Sequence, residues 1–141
     1  MGGIYGGGGA GSPIPTDVPF NAGDFTSDVG TWTVDPADVF NYTWINYGGR
    51  VHTLIIQLNQ TSVTGTPAEL RVALPGGLLN RKFLETTGYC NNNGGANEDM
   101  KATISGPGGT FVRLSRLSAA AWTASVNLTA ARVEITFVSS N

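Results

Sequence analysis

Four stretches of this chain alternate apolar and polar residues with a period of two, and that spacing decides the class of fold. Between Val51 and Asn59, His52, Leu54, Ile56 and Leu58 fall on one face, and Val51, Thr53, Ile55 and Gln57 on the other. Leu70, Val72 and Leu74 alternate with Glu69, Arg71 and Ala73. Met100, Ala102 and Ile104 repeat the spacing, and Val133, Ile135 and Phe137 alternate with Arg132, Glu134 and Thr136. Successive side chains of a strand point to opposite faces, so these runs read as strands with one face buried. A helix would need apolar residues every three to four positions, and no stretch of useful length supplies them. The alanine-rich Leu117–Trp122 segment is at most one helical turn.

Turn signals separate the runs. Tyr47-Gly48-Gly49-Arg50 sits between two of them and reads as a hairpin. Pro75-Gly76-Gly77 and Gly106-Pro107-Gly108-Gly109 stop others. Thr31–Val34, Val39–Tyr47 and Lys82–Cys90 add strand candidates, with Phe40, Tyr42 and Trp44 expected as one core stripe. Residues 61–67 and the Asn-rich 91–99 stretch read as loops. The expected fold is all-β: an antiparallel sandwich or barrel of about eight short strands.

The first nineteen residues read differently. Seven of the first eleven are glycine, and Pro13, Pro15 and Pro19 follow. Glycine loses the most backbone entropy on ordering, whereas proline favours a stiff, extended connector. Residues 1–19 are therefore expected to form an arm, and 20–141 a single domain. Ordering residues 1–15 costs on the order of 15–30 kcal/mol of backbone entropy, so docking needs extensive contacts. Ile4, Tyr5, Ile14 and Pro15 are the candidate anchors, with strand addition as the mode.

Charge is sparse and uneven. Only 13% of residues are charged, and 16 Thr, 11 Asn and 9 Ser supply polarity instead. Residues 1–49 carry Asp17, Asp24, Asp28, Asp35 and Asp38 and no Lys or Arg, a balance of −5. Residues 50–141 carry eight basic and five acidic residues, a balance of +3. The acidic part can lie across the basic part of its own chain or of a neighbouring copy. A net charge of −2 gives no reason to expect nucleic acid. No apolar run approaches the ~20 residues of a membrane span. The N-terminus lacks a signal-peptide pattern, so synthesis in a cytosol is expected.

No reaction chemistry stands out. His52 is the only histidine and Cys90 the only cysteine, so neither a Ser-His-Asp triad nor a multi-histidine metal site fits within one chain. His52 lies on an apolar strand face and reads as a packing residue, and Cys90 as an inert thiol. A Cys90–His52 nucleophile pair would need the fold to bring the two together. The aspartates read as turn caps rather than calcium ligands. Neither metal nor cofactor is expected, and no enzyme activity. Tyr89, Asn92, Asn93 and Trp122 are candidates for an exposed rim that touches a ligand.

Three segments carry a resemblance: F-T-S-D-V-G-T-W-T-V from Phe25, V-F-N-Y-T-W-I-N-Y-G-G-R-V from Val39, and T-S-V-T-G-T-P-A-E-L-R-V-A-L-P-G-G from Thr61. Together they resemble β-sandwich modules of tailed-bacteriophage virion proteins, found in head decoration proteins, head fibres and tail-fibre tips. The resemblance covers roughly a third of the chain. It implies a structural or adhesive module, commonly a homotrimer, made in the host cytoplasm and placed on the virion. The first expectation is a capsid decoration (cement) protein on the major capsid protein. The alternative is a tail-fibre or spike module that binds host glycan.

Overall fold

The computed structural model describes residues 13–141. The described residues form ten strands: β1 (Pro15–Asp17), β2 (Phe25–Ser27), β3 (Thr31–Thr33), β4 (Val39–Asn46), β5 (Val51–Thr64), β6 (Leu70–Ala73), β7 (Leu84–Asn91), β8 (Asn97–Ile104), β9 (Phe111–Arg116) and β10 (Ser125–Val138). Every pairing is antiparallel. The strands form one sheet in the order β1-β4-β5-β10-β7-β8-β9-β6-β2, with β3 beside the end of β5. The expected all-β class holds, in the form of a curled half-barrel sheet rather than two separate sheets.

Curling lets one sheet bury its own apolar face. Phe25 on β2 meets Trp32 on β3 edge-on at 5.6 Å and Tyr42 on β4 at 5.9 Å. The Tyr42 hydroxyl donates across the interior to the Ala73 carbonyl at 2.8 Å. Burial pushes the pKa of Tyr42 well above its usual value. The core between the two halves holds Leu54, Ile56, Leu70, Met100, Ile104, Leu114 and Ile135, all at or near zero exposure. Their alternation places them inside, as the sequence pattern requires.

Irregular positions supply the bend. The β5–β10 register shifts between Ser125 and Ala131, where Gln60 and Asn127 both adopt positive φ. Such bulges add twist and bend a strand. Thr61–Thr64 therefore continues β5 past the bulge, whereas the sequence suggested a loop from Thr61. A second bulge corrects the expected Phe40–Tyr42–Trp44 stripe. Val39 pairs with Leu58 and Asn41 with Gln57, so Phe40 is the extra residue and turns outward, 63% exposed. Only Tyr42 of the three is buried, and Trp44 is half-buried. The expected 91–99 loop shrinks to residues 92–96, because β7 runs to Asn91 and β8 starts at Asn97.

Two three-residue strands, β1 and β2, raise the count above eight. β1 lies within the expected arm of residues 1–19, and β2 precedes the first expected strand, Thr31–Val34. Pro15 pairs with Ile45 and Asp17 with Thr43, so Pro15–Asp17 is an edge strand of the sheet.

Strands β7 and β10 pair only from Asn91 to Tyr89, opposite Ala130 to Arg132, and then part. At Gly88 a Cβ would collide with the Arg132 carbonyl oxygen and stand 2.9 Å from the Val133 Cβ. The crossing therefore requires glycine. Gly88→Ala is expected to lower the unfolding free energy by about 2 kcal/mol in urea denaturation. Wild-type stability in that variant would show that the two backbones do not approach there.

Candidate interaction surfaces

His52 enters the core from β5 and is held from three sides. The Trp44 indole N–H donates to His52 Nδ1 at 3.1 Å, and His52 Nε2 lies 3.1 Å from Ser139 Oγ. Ser139 Oγ donates in turn to the Asn141 carbonyl at 2.8 Å. This direction of donation assigns the neutral tautomer with its proton on Nε2. The ring packs 5.3 Å from Phe137, and burial lowers its pKa. His52 is a packing residue, as its strand face suggested. Cys90 is also buried, with its thiol pushed up to about 12 by burial and then by Glu98. Cys90 is opposite Ala131 and His52 is opposite Phe137. Six residues of strand put them about 20 Å apart, so the fold does not assemble a thiol–imidazole pair.

The aspartates work locally. Asp28 Oδ1 accepts from the Glu69 N–H at 3.2 Å, and Asp38 Oδ2 from the Asp35 N–H at 2.9 Å. Among the described residues no group of three or more His, Cys, Asp or Glu side chains is placed to hold a metal ion.

The candidate contact residues differ in exposure. Ile4 and Tyr5 lie outside the described residues. Ile14 is 76% exposed just before β1, and Pro15 opens that strand. Tyr89 points outward from β7, 55% exposed, beside an open groove of about 330 Å³ lined by Gln57, Thr87, Arg132 and Glu134. Asn92 turns instead to its own chain: its side chain donates to Thr123 Oγ1 at 2.9 Å and accepts from the Thr123 N–H at 2.8 Å. Asn93 is exposed in the β7–β8 turn with a φ of 51°.

Trp122 corrects the expectation of an exposed ring. It is fully buried, and its indole N–H donates to the Leu114 carbonyl at 3.1 Å. The Trp122 backbone N–H bonds the Pro67 carbonyl at 2.9 Å, and Arg116 Nη1 holds the Ala121 carbonyl at 2.7 Å. These ties fold the 117–124 segment back over the sheet and drive the ring inside. Of the four rim candidates, only Tyr89 and Asn93 are exposed.

Two surfaces were not singled out from sequence. One gathers exposed Tyr47, Val51, Val138 and Phe83 at one end of the sheet. The other gathers exposed Phe20 and Phe40 near the start of β4. A signal existed for Val51 and Val138, since both fall on the outward parity of their strands. Phe40 gave none, because a bulge is invisible to a strict period of two.

Charges divide into paired and unpaired sets. Glu69 pairs with Arg71 at 2.6 Å and reaches Arg113 at 3.9 Å; Glu98 pairs with Arg116 at 2.7 Å, and Glu85 with Lys101 at 3.6 Å. Among the described residues, Arg50, Arg81, Lys82 and Arg132 form no ion pair, and neither does any of the five N-terminal-half aspartates.

No protein-family model, curated protein or solved structure matches this chain. No helix among the described residues is long and apolar enough to cross a membrane.

The buried His52 makes stability depend on pH. Folded His52 binds its proton less tightly than a free histidine of pKa 6.5, so below that pH the unfolded chain binds more protons. Stability is expected to be level above about pH 6.5 and to fall as pH drops below it. His52→Gln is expected to flatten this slope in urea-midpoint measurements between about pH 5 and 8. Equal slopes in both proteins would rule out His52 as the source.

Proposed function

We propose that this chain is a structural virion protein, a decoration (cement) protein that binds the major capsid protein on the outer shell. The observation that carries this reading is the place of β1. It is an outer strand of the sheet, and the glycine-rich residues 1–12 precede it in the sequence by two residues. An edge strand offers unpaired backbone groups, and strand addition uses them without any catalytic group. A rigid all-β body with a chain segment attached at its edge suits a protein that fastens one shell subunit to another. The resemblance of residues 25–77 to phage virion modules points the same way, and so does the homotrimer common among them.

Deleting residues 2–12 leaves β1 in place. The shortened chain is expected to lose co-sedimentation with capsid shells that the full chain binds. Undiminished occupancy would end the role of this segment.

A second reading, a glycan-adhesive tail-fibre or spike module, is favoured by the groove beside Tyr89. An exposed ring flanked by Gln57, Arg132 and Glu134 offers a stacking face and hydrogen-bonding groups to a sugar. Under this reading, glycan-array binding by the full chain disappears in Tyr89→Ala. Retention of that binding would remove Tyr89 from the site.

A further inference from the structure

We propose that two faces at opposite ends of β4 join copies of this chain head to tail. The first face is basic and apolar. Val51 is the register partner of Val138, and the Tyr47 N–H donates to the Val51 carbonyl at 3.1 Å. The Arg81 N–H donates to the Val138 carbonyl at 2.9 Å, and Phe83 and Val138 line one groove of about 270 Å³ with Arg81 and Lys82. Tyr47, Val51, Val138 and Phe83 are 47%, 40%, 38% and 63% exposed. Arg50, next to Val51, joins Arg81 and Lys82 as an exposed cation with no ion pair among the described residues. No acidic side chain occurs in residues 45–53, 75–84 or 135–141, which build this end.

The second face is acidic and aromatic. Phe40 and Phe20, 63% and 39% exposed, share a groove of about 470 Å³ with Val18, Pro36 and Asp17. Asp35 and Asp38 flank Pro36 in the chain, and no Lys or Arg precedes Arg50. Exposed rings grouped in this way mark a contact surface rather than scattered surface residues.

The occupant of each face is the other face on a second copy, and charge decides this. Phe40 and Tyr47 are seven residues apart, about 23 Å along an extended strand, so the faces are separate patches. A two-fold contact that laid either face on itself would set like charge against like. Acidic–aromatic against basic–aromatic is complementary and heterologous, and each copy uses both faces. When the rotation between copies closes, the product is a ring, which includes the trimer of the proposed function. The contact uses none of residues 1–12 and, of β1, only the Asp17 side chain and not the backbone groups of its open edge, so it stands or falls separately from shell attachment.

Sedimentation equilibrium of the full chain tests this. The wild-type chain is expected to self-associate. The association is expected to weaken as NaCl rises from about 0.1 to about 1 M, which shortens the screening length from about 10 to about 3 Å. The double variants Arg81→Glu/Lys82→Glu and Asp17→Lys/Asp35→Lys change exposed side chains only, and unchanged circular dichroism confirms their folding. Each alone is expected to associate about tenfold or more weakly. An equimolar mixture of the two is expected to recover association, because each reversed face meets its reversed complement. The proposal is overturned by a wild-type chain that stays monomeric at every concentration, which leaves the basic face to a different acidic partner. It is equally overturned by variants that associate like wild type, or by a mixture that does not recover.

Discussion

The long ladder between β5 and β10, two strands of fourteen residues each, carries the rest of the sheet. Its inner side chains, from Leu54 to Leu58 and from Ala131 to Phe137, line the middle of the core. A single sheet has no second layer to cover that face. It can exclude water only by bending until its own flanks meet. The bulges near Gln60, Asn127 and Phe40 supply the bend, and Gly88 lets β7 cross close to β10. Phe25, Trp32 and Tyr42 mark where the flanks come together.

The same economy explains the polar interior. His52 is satisfied on both nitrogens by Trp44 and Ser139, and Thr61 accepts from the Trp32 indole while donating to the Thr129 carbonyl. A buried polar group without such partners would cost ~1–3 kcal/mol. These residues tie β3, β4, β5 and β10 to one another. With the titratable residues of the interior committed to packing, the informative features lie outside: an edge strand, two aromatic faces of opposite charge, and a shallow groove.

Much of the fold was legible in the sequence. Alternation identified the inner faces of β5, β6, β8 and β10, and Gly48-Gly49 identified the β4–β5 connection. Three features were not legible, each for a physical reason. The strand β1 is only three residues long and begins at a proline, so its pairing with β4 is set by that neighbour and not by local propensity. Phe40 reads as core in any scheme of strict alternation, yet one extra residue turns it out. Trp122 sits in an irregular alanine-rich segment, and its burial follows from hydrogen bonds to Pro67 and Leu114, which are far from it or on another element. Of the contact surfaces, the charge imbalance between the two parts of the chain was visible. The placing of Phe83, Val51 and Val138 side by side was not.

The sequence by itself determined that this chain is all-β, because a period of two can bury one face only as strands, and local residue order sets that period. It also determined the split between acidic and basic parts, which no folding can change. The tertiary structure alone decided that one sheet curls into a half-barrel, and that Trp122 goes in while Phe40 goes out. It alone placed the aromatic and charged residues at two ends of β4. Those outcomes depend on register, bulges and long-range pairing, which are properties of neighbours in space that no local stretch of sequence contains.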